Sequence, residues 1–258
     1  MTQVTLAADY ALASGDPVVT NRAVSVGGVR VAARMTGSGE PCLLLNGLSR
    51  PMQSWASFGD ALHGRTIITF DVPGVGQSHA PVVPYTMSML SNIAVGVLDA
   101  FGVDAADIVG FSFGGALAQQ IAIGHPKRVK RLVLLATSCG IGAVPGRGRD
   151  VTRSLLRPND GTRWAAPDPM GLLYQLGAIS TWTSIPYLGS IAAPTLLICG
   201  DGDKAIPPAN SRLLAARIPN ARLATVGAGH DLQKPGAAPI VAALVQRFLD
   251  GVDEFAAS

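Results

Sequence analysis

Short apolar runs alternate along this chain with longer stretches of helical pattern, and few architectures accommodate such an alternation. Runs rich in Ile, Val and Leu predict eight strands, at residues 24–26, 29–35, 42–45, 66–70, 107–111, 131–136, 194–199 and 222–226. Helical patterns lie between them, at residues 53–63, 87–101, 113–123, 208–218 and 239–249. Because such segments build βαβ units, we expect an α/β fold with a mostly parallel eight-stranded sheet and helices on both faces.

One segment interrupts the alternation. Residues 140–190 are rich in Gly, Pro and Trp and contain no clear sheet strand, but two short helical patterns occur at 151–156 and 169–176. An insertion that returns to the same sheet is expected to cover the active site as a short cap. We therefore predict an N-terminal extension, a core in two parts and a cap, at residues 1–22, at 23–139 with 191–258, and at 140–190.

The composition limits the classes of partner. Of the 258 residues, 48% are hydrophobic and only 14% are charged. This indicates either one compact core rich in small residues or an apolar surface suited to an oily or polymeric substrate. The net charge of +3 reflects arginine, and residues 147–163 hold five arginines with no aromatic residue among them. Nucleic-acid binding favours a longer basic face with aromatic residues, so we expect no nucleic-acid partner.

The cysteines and the N-terminus predict the compartment. Cys42, Cys139 and Cys199 each lie in or just after an apolar run, and three is an odd number for a disulfide framework. Buried free thiols are typical of a reducing compartment. The first residues lack the pattern of a signal peptide, and no apolar run approaches the roughly 18 residues of a membrane span. We expect a cytoplasmic protein without a transmembrane segment.

A candidate nucleophile stands between a strand and a helix. Gly110-Phe111-Ser112-Phe113-Gly114 matches the pattern G-x-S-x-G, with strand 107–111 before it and helix 113–123 after it. Glycines allow the strained turn that exposes the serine, and the helix directs its N–H groups toward the reacting oxygen. The alternative is a plain glycine-rich turn. In this context the motif resembles the nucleophile turn of the α/β-hydrolase fold, which predicts Ser112 as the nucleophile.

A catalytic serine needs a base, and the chain contains four histidines. His63 and His125 stand at the ends of helical patterns, and His79 lies in a glycine-rich loop. His230 follows the last predicted strand, after the small residues 227–229. We predict His230 as the base, because a loop histidine in this place can reach over the serine; the alternative is an exposed loop histidine.

The acid that orients the base is predicted after strand 194–199. In the α/β-hydrolase fold the triad occurs in the order Ser, Asp, His, and Asp201 and Asp203 both stand in that place. The usual spacing of the fold, from Gly200 to the acid and then to Pro207, favours Asp203. Asp201 is more suited to a hydrogen bond with the turn backbone. We predict Asp203, with Asp201 as the alternative.

Two backbone N–H groups are needed where the oxyanion develops. Phe113 directly follows the nucleophile, and Leu48 lies in the loop after strand 42–45, so we predict these two donors. Residues 71–78 form a glycine-rich loop without the ending of a nucleotide-binding P-loop, and we interpret them as a structural loop beside the pocket. No cluster of His, Cys or Asp has the spacing of metal ligands, so we expect neither a metal nor another cofactor.

Several stretches resemble the intracellular medium-chain poly(3-hydroxyalkanoate) depolymerases. They are residues 70–76, 114–120, 173–176 with 182–186, and 210–215 with 217–221. The resemblance implies hydrolysis of ester bonds in a hydroxyalkanoate polymer or its oligomers through an acyl-enzyme on Ser112, and association with storage granules. The chain departs from that family in having Phe113 where tryptophan is usual, a shorter cap, and the polar residues 231–234 after the histidine.

The cap residues of this resemblance predict a substrate pocket. We expect the acyl group to contact the apolar side chains of Leu173, Tyr174, Leu176, Trp182 and Ile185. The alternative is that these side chains only attach the cap to the core.

Other functions fit parts of the pattern. A general carboxylesterase or lipase acting on small acyl esters is the nearest alternative, since a short cap leaves an open pocket. Cofactor-free peroxidation and hydrolysis of C–C bonds use the same triad. Dehalogenases and epoxide hydrolases are disfavoured, because they carry an aspartate where Ser112 stands. A non-catalytic binding protein on the same scaffold is the alternative from another class.

Overall fold

Nine strands form one sheet in the residues that the computed structural model describes, which are 4–11, 19–150 and 168–252. The order across the sheet is β1-β2-β3-β5-β4-β6-β7-β8-β9. The strands are β1 (Val4–Ala11), β2 (Thr20–Val26), β3 (Val29–Gly37), β4 (Glu40–Leu45), β5 (Arg65–Phe70), β6 (Ala106–Phe111), β7 (Val129–Leu135), β8 (Thr195–Gly200) and β9 (Ala221–Val226).

The sheet is antiparallel at one side and parallel elsewhere. The pairs β1–β2, β2–β3 and β3–β5 are antiparallel, and every pair from β5–β4 to β8–β9 is parallel. The eight predicted strands correspond to β2–β9, so the predicted mostly parallel sheet is confirmed.

The additional strand β1 lies within residues 1–22, and the division of these residues from the core as an N-terminal extension stays a prediction. The strand pairs with β2 in a register that shifts between Ala7 and Tyr10. Such an irregularity interrupts the period of two by which a strand is recognised in a sequence. The other predicted boundaries, at residues 139 and 191, stay a prediction.

Six α-helices lie wholly within the described residues: α1 (Ala56–Gly59), α2 (Met87–Ala100), α3 (Phe113–Gly124), α4 (Pro169–Ser180), α5 (Ala209–Ala215) and α6 (Ala238–Leu249). The helix predicted at 53–63 is instead a 3-10 turn, Met52–Trp55, followed by the short α1. The chain turns at the following Asp60 and passes through Gly64 at φ +66°, a backbone conformation that does not continue a helix. The helix predicted at 151–156 lies outside the described residues.

Each face of the sheet has its own core. Leu43 and Leu45 pack on the face covered by α2 and α3, whereas Cys42 and Leu44 pack on the opposite face with α1 and α6. Successive side chains of a strand point to opposite faces, so the continuous apolar run of β4 is buried on both. No helix in the described ranges is long and apolar enough to cross a lipid bilayer.

Three contacts attach the predicted cap segment to the core. Trp182 Nε1 donates to Gln120 Oε1 at 2.7 Å, and Ser184 Oγ donates to Gln119 Oε1 at 2.7 Å, both on α3. Asn210 of α5 accepts from Val144 N at 2.8 Å and donates to Val144 O at 2.9 Å. Two stretches that carried the family resemblance, 114–120 and 182–186, therefore contact each other directly.

Candidate active site

Ser112 occupies a strained turn between β6 and α3. Its φ of 53° and ψ of −115° form a backbone conformation that residues with a Cβ rarely adopt. The turn is held on both sides, because Ser112 N donates to Leu135 O at 2.8 Å and Thr137 Oγ1 donates to Ser112 O at 2.7 Å. These bonds fix the serine at the carboxyl end of the sheet.

The neighbouring glycines make room for this turn. A Cβ on Gly110 would lie 2.3 Å from the carbonyl oxygen of Gly114, and a Cβ on Gly114 would lie 2.1 Å from that of Leu45. Both approaches are far closer than van der Waals contact, so the G-x-S-x-G spacing is required by backbone packing as well as by chemistry.

The structure brings His230 and Asp203 to the serine. His230 Nε2 lies 3.1 Å from Ser112 Oγ, and His230 Nδ1 lies 2.8 Å from Asp203 Oδ2. Asp203 is 3% exposed, and its other oxygen accepts from the backbone N–H groups of Ala205 and Ile206 at 2.9 and 2.8 Å. Asp201 is exposed in the preceding turn, so of the two predicted carboxylates only Asp203 reaches the histidine.

This arrangement defines the proton positions. An ionised carboxylate can only accept hydrogen bonds, so Nδ1 of His230 carries the proton that it shares with Asp203. Nε2 is then free to accept the proton of Ser112 Oγ. The three side chains thus have the geometry of the relay that activates the nucleophile in serine hydrolases.

The other histidines lie elsewhere. His125 Nε2 lies 2.9 Å from Asn92 Oδ1, and the backbone carbonyl of His63 accepts from Gln246. His79 lies beside a separate cavity bounded by Arg22, Arg30 and neighbouring residues.

The predicted oxyanion donors lie beside the serine. Leu48 and Phe113 both line the cavity that contains Ser112 and His230. Phe113 is the first residue of α3, so its N–H has no acceptor within the helix and faces the region in front of the first turn. The N-terminus of α3 also favours negative charge at this point.

An apolar cavity of about 190 Å³ opens at Ser112. Its wall is mostly apolar, with Arg50, Thr137 and Ser138 as polar members in addition to the serine and the histidine. The lining residues are Gly47, Leu48, Arg50, Phe111, Ser112, Phe113, Ala116, Thr137, Ser138, Leu176, Ile179, Ala205, Ile206 and His230.

Of the five predicted pocket residues, only Leu176 lines this cavity. Tyr174 and Trp182 are buried in the core, and the hydroxyl of Tyr174 donates to Val82 O at 3.4 Å. Leu173 is 57% exposed, and Ile185 packs beside Gly142. These four residues do not line the cavity, because a helix presents only one of its sides to it and Trp182 and Ser184 bond to α3. Their contact with an acyl group stays a prediction.

Ile179 and Arg50 are cavity residues that the sequence reading missed. Ile179 lies three residues after Leu176 on α4, so helical periodicity was a usable signal. For Arg50 no local signal exists. Its guanidinium lies 4.9 Å from the ring centroid of Phe111 and forms an ion pair with Asp231, which follows the histidine.

The charges around Arg50 control the ionisation of Asp231. Burial disfavours the carboxylate, but Arg50 and Lys234 outweigh this effect and lower the pKa of Asp231 below its ordinary value. Gln233 extends the group, since it accepts from Arg50 at 3.2 Å and donates to Asn46 at 3.1 Å. The loop after β4 and the loop of the histidine are therefore joined by polar contacts.

The glycine-rich loop at 71–78 does not line this cavity. Asp71 is buried and accepts from Met52 N at 2.6 Å and Gln77 N at 2.9 Å, while Gly74 packs directly against Gly171 of α4. Burial raises the pKa of Asp71. The loop therefore supports α4 and the loop after β4. No group of three or more His, Cys, Asp or Glu side chains is placed to hold a metal ion within the described ranges.

Comparison with known proteins agrees with this geometry. Residues 40–155 and 153–237 match the sequence profile of the alpha/beta hydrolase fold. The chain is 37% identical over 238 residues to a poly(3-hydroxyalkanoate) depolymerase of Ectopseudomonas oleovorans, an alignment that covers 81% of this chain and 84% of that protein. The resemblance inferred from the sequence is thereby confirmed.

Two further matches show the range of related enzymes. A 2-hydroxymuconate semialdehyde hydrolase of Pseudomonas putida is 32% identical over 272 residues, covering 90% of this chain and 95% of the relative. The crystal structure of the enol-lactonase from Burkholderia xenovorans LB400 superposes with a TM-score of 0.77 at 25% identity, over 87% of this chain and 98% of that one.

Proposed function

Since the chain belongs to the α/β-hydrolase family, we propose that it is a serine hydrolase that cleaves carboxylic esters through an acyl-enzyme on Ser112. The observation that carries this proposal is the continuous relay from Asp203 through His230 to Ser112, with distances of 2.8 and 3.1 Å, at the end of an apolar cavity. A binding protein would have no need of a strained serine aligned with a histidine.

The mechanism follows from the positions of these groups. His230 Nε2 takes the proton of Ser112 as Oγ attacks the ester carbonyl carbon. The N–H groups of Leu48 and Phe113 stabilise the negative oxygen of the tetrahedral intermediate. His230 then gives its proton to the leaving alcohol, and an acyl-enzyme remains. A water molecule, deprotonated by the same nitrogen, attacks the acyl carbon and releases the acid. Asp203 stabilises the imidazolium in both steps.

We propose 3-hydroxyalkanoate oligomers as the substrate class. The relative from E. oleovorans is a poly(3-hydroxyalkanoate) depolymerase by name. Such a substrate has an apolar side chain and an oxygen on carbon 3. The cavity offers Leu176 and Ile179 for the first, and Thr137 and Ser138 are polar lining residues for the second. Thr137 Oγ1 donates its proton to Ser112 O, so it can meet the substrate oxygen only as an acceptor. Ligand sites generally combine an apolar wall with few polar groups in this way.

A simple carboxylesterase is the second candidate. The cavity holds about 190 Å³, which is below the roughly 300–1,000 Å³ of typical small-molecule sites. A cavity of this size favours short acyl groups and single ester units over a polymer chain.

One set of substrates separates the candidates. We expect hydrolysis of p-nitrophenyl esters with short to medium acyl chains, and release of 3-hydroxyacids from soluble oligomers, detected by mass spectrometry. A ring-fission product with a C–C bond to be cleaved serves as the third substrate. Fast cleavage of simple esters without hydroxyacid release would favour the simple carboxylesterase, and cleavage of the ring-fission product alone would contradict ester hydrolysis.

We further propose that the protein acts in the cytoplasm, on oligomers at or near a storage granule. All three cysteines are buried free thiols, which suits a reducing compartment. Met170 and Leu173 on α4 are exposed, as is Val82, whose carbonyl oxygen accepts from Tyr174 of the same helix, and these side chains offer apolar contacts to a polymer surface. We expect whole granules to be attacked slowly compared with oligomers, because Leu176 and Ile179 leave little space for an entire chain.

A further inference from the structure

A completely buried glutamine joins the helix over the cavity to the loop of the oxyanion donor. Gln175 lies on α4 and has an exposed fraction of 0%. Its Oε1 accepts a hydrogen bond from Ser49 N at 2.8 Å, across 126 positions of sequence. Ser49 directly follows Leu48, whose N–H is the proposed oxyanion donor.

Ser49 has a strained backbone conformation that depends on its neighbours. Its φ of 56° lies in the left-handed region, which a residue with a Cβ enters only when its surroundings impose it. The Ser49 N–H belongs to the peptide between Leu48 and Ser49. This peptide plane and the plane that carries the Leu48 N–H meet at Leu48 Cα. When the first plane is held, the Leu48 N–H can change direction only through the φ and ψ of Leu48 itself.

Attachment of the cap does not explain why a polar side chain is buried here. Trp182 with Gln120 and Ser184 with Gln119 already join the same segment to α3 through bonds of 2.7 Å. Burial of an amide costs free energy unless it is hydrogen-bonded. Within the described residues Nε2 of Gln175 makes no hydrogen bond of normal geometry, although the side chain lies beside the Tyr85 hydroxyl. An apolar side chain would fill the same space at lower cost.

We propose that Gln175 is a positioning residue, which holds the Ser49 peptide so that the Leu48 N–H points at the oxyanion. This inference rests on the proposed function. The next residue on α4, Leu176, lines the cavity. One turn of helix thus contacts the acyl group through Leu176 and orients the oxyanion donor through Gln175. The position of the acyl group and the stabilisation of the intermediate therefore depend on each other.

The test compares Gln175→Met with Gln120→Met. Both substitutions remove a hydrogen bond between the cap segment and another part of the chain, but only Gln175 contacts the oxyanion loop. For Gln175→Met we expect kcat on a p-nitrophenyl ester to fall about 10- to 100-fold, somewhat less than the loss of a complete oxyanion donor, with KM changed less than about 2-fold. For Gln120→Met we expect kcat within about 2-fold of the unmodified protein, and thermal unfolding of both variants shows whether each one folds.

A second substitution tests the cause directly. Glycine adopts positive φ without steric cost, so Ser49→Gly in the Gln175→Met background should recover several-fold of the lost kcat. The Ser49→Gly change alone provides the reference for the double variant. Failure of this recovery, or a Gln175→Met effect on kcat no larger than that of Gln120→Met, would overturn the proposal. Gln175→Asn, which keeps the amide but withdraws it from Ser49, replaces Gln175→Met if the latter does not fold, and the same loss is expected.

Labelling of Ser112 by a fluorophosphonate separates this inference from the proposed function. The phosphoryl oxygen of the probe occupies the oxyanion position whichever ester is the natural substrate. We expect slower labelling in Gln175→Met and faster labelling again in the double variant. If no ester is hydrolysed but this order of labelling rates holds, the proposed substrate class is wrong and the role of Gln175 stands. An unchanged labelling rate in Gln175→Met would contradict that role.

Discussion

Individual side chains at the site combine backbone strain with dense hydrogen bonding. Ser112 is held at a φ of 53° by bonds to its N–H and its carbonyl oxygen, and Asp203 uses both oxygens, one for the histidine and one for two backbone N–H groups. Every group of the relay is thus oriented before substrate arrives, which is the condition for electrostatic stabilisation of a transition state.

Replacement of the nucleophile should remove nearly all activity. For Ser112→Ala we expect ester turnover to fall by about 10⁴-fold or more, because the oxyanion donors remain but no acyl-enzyme can form. Steady-state kinetics and fluorophosphonate labelling measure this loss. Ser180→Ala, at an exposed serine of α4, is the control and should retain full activity. Labelling at a serine other than Ser112 would contradict the assignment.

The two carboxylates after β8 should differ sharply. Asp203→Asn removes the acceptor that orients His230, and we expect kcat to fall by about 10³- to 10⁴-fold. Asp201→Asn changes an exposed side chain in the same turn, and we expect less than about a 2-fold change. The ratio of the two kcat values measures the difference. Equal losses would show that the hydrogen bond between Asp203 and His230 does not carry the effect.

Among the helices, α4 serves two purposes on different sides. Leu176 and Ile179 face the cavity, whereas Tyr174 and Ala178 are buried in the core. The 3-10 turn Ile185–Ser190 and the residues before it pack against α3. Substitutions on the two sides of this segment should therefore have separable effects on specificity and on stability.

Leu176→Ala and Trp182→Ala test this separation. Leu176→Ala enlarges the cavity, so we expect the preferred p-nitrophenyl ester to shift to a longer acyl chain, with a stability change below about 1 kcal/mol. Trp182→Ala removes a buried ring and its bond to Gln120, and we expect a loss of about 3–5 kcal/mol with an unchanged preference. Chain-length profiles and urea unfolding provide the two readouts. If Trp182→Ala alone shifted the preferred acyl chain length, Trp182 would have to contact the acyl group.

Across the molecule, the sheet brings distant loops to one edge and charged side chains join them. Arg50 follows β4 and Asp231 follows β9, and their ion pair lies next to Phe111 and His230. In the sheet, β4 and β9 are separated by β6, β7 and β8. The pair therefore connects loops whose strands do not touch.

The Asp231 carboxylate should contribute stability that acid removes. Its pKa is lowered in the folded protein, because the charges of Arg50 and Lys234 outweigh burial. Its stabilising effect is therefore complete above the pKa of the unfolded chain and is lost as pH falls through the lower, folded pKa. At pH 7 we expect Asp231→Asn to lower the free energy of unfolding by about 3 kcal/mol, since Arg50 remains buried without its partner.

Urea unfolding at pH 7 and near pH 3 measures this contribution. The difference between the unmodified protein and Asp231→Asn should narrow as the pH falls. Burial raises the pKa of Asp71 and Asp107, so these two carboxyls change the stability in the opposite direction as the pH falls. Both are present in the unmodified protein and in Asp231→Asn, so their effect cancels in the difference between the two free energies of unfolding. The exposed Asp60, changed to Asn, is the control. A difference that is constant with pH would show that the ion pair does not stabilise the fold.

The sequence alone determined the features that depend on local backbone requirements. The turn at Ser112 needs glycines at fixed spacing between a strand and a helix, and parallel β-strands buried on both faces need continuous apolar runs, so these patterns are readable without a structure. The positions of Asp203 and His230 after the last two strands were predictable for the same reason, because the carboxyl ends of parallel strands share one edge. Their distances to each other were not.

Only the tertiary structure decided which cap side chains reach the cavity. Leu173, Leu176 and Trp182 are all apolar, and their spacing does not predict which of them contacts the cavity, the core or solvent. The pairing of Gln175 with Ser49 and of Arg50 with Asp231 joins residues 126 and 181 positions apart. Hydrogen bonds between such distant residues leave no periodic trace in a single sequence, because they form only when the packing of the sheet and its helices has brought the two segments together.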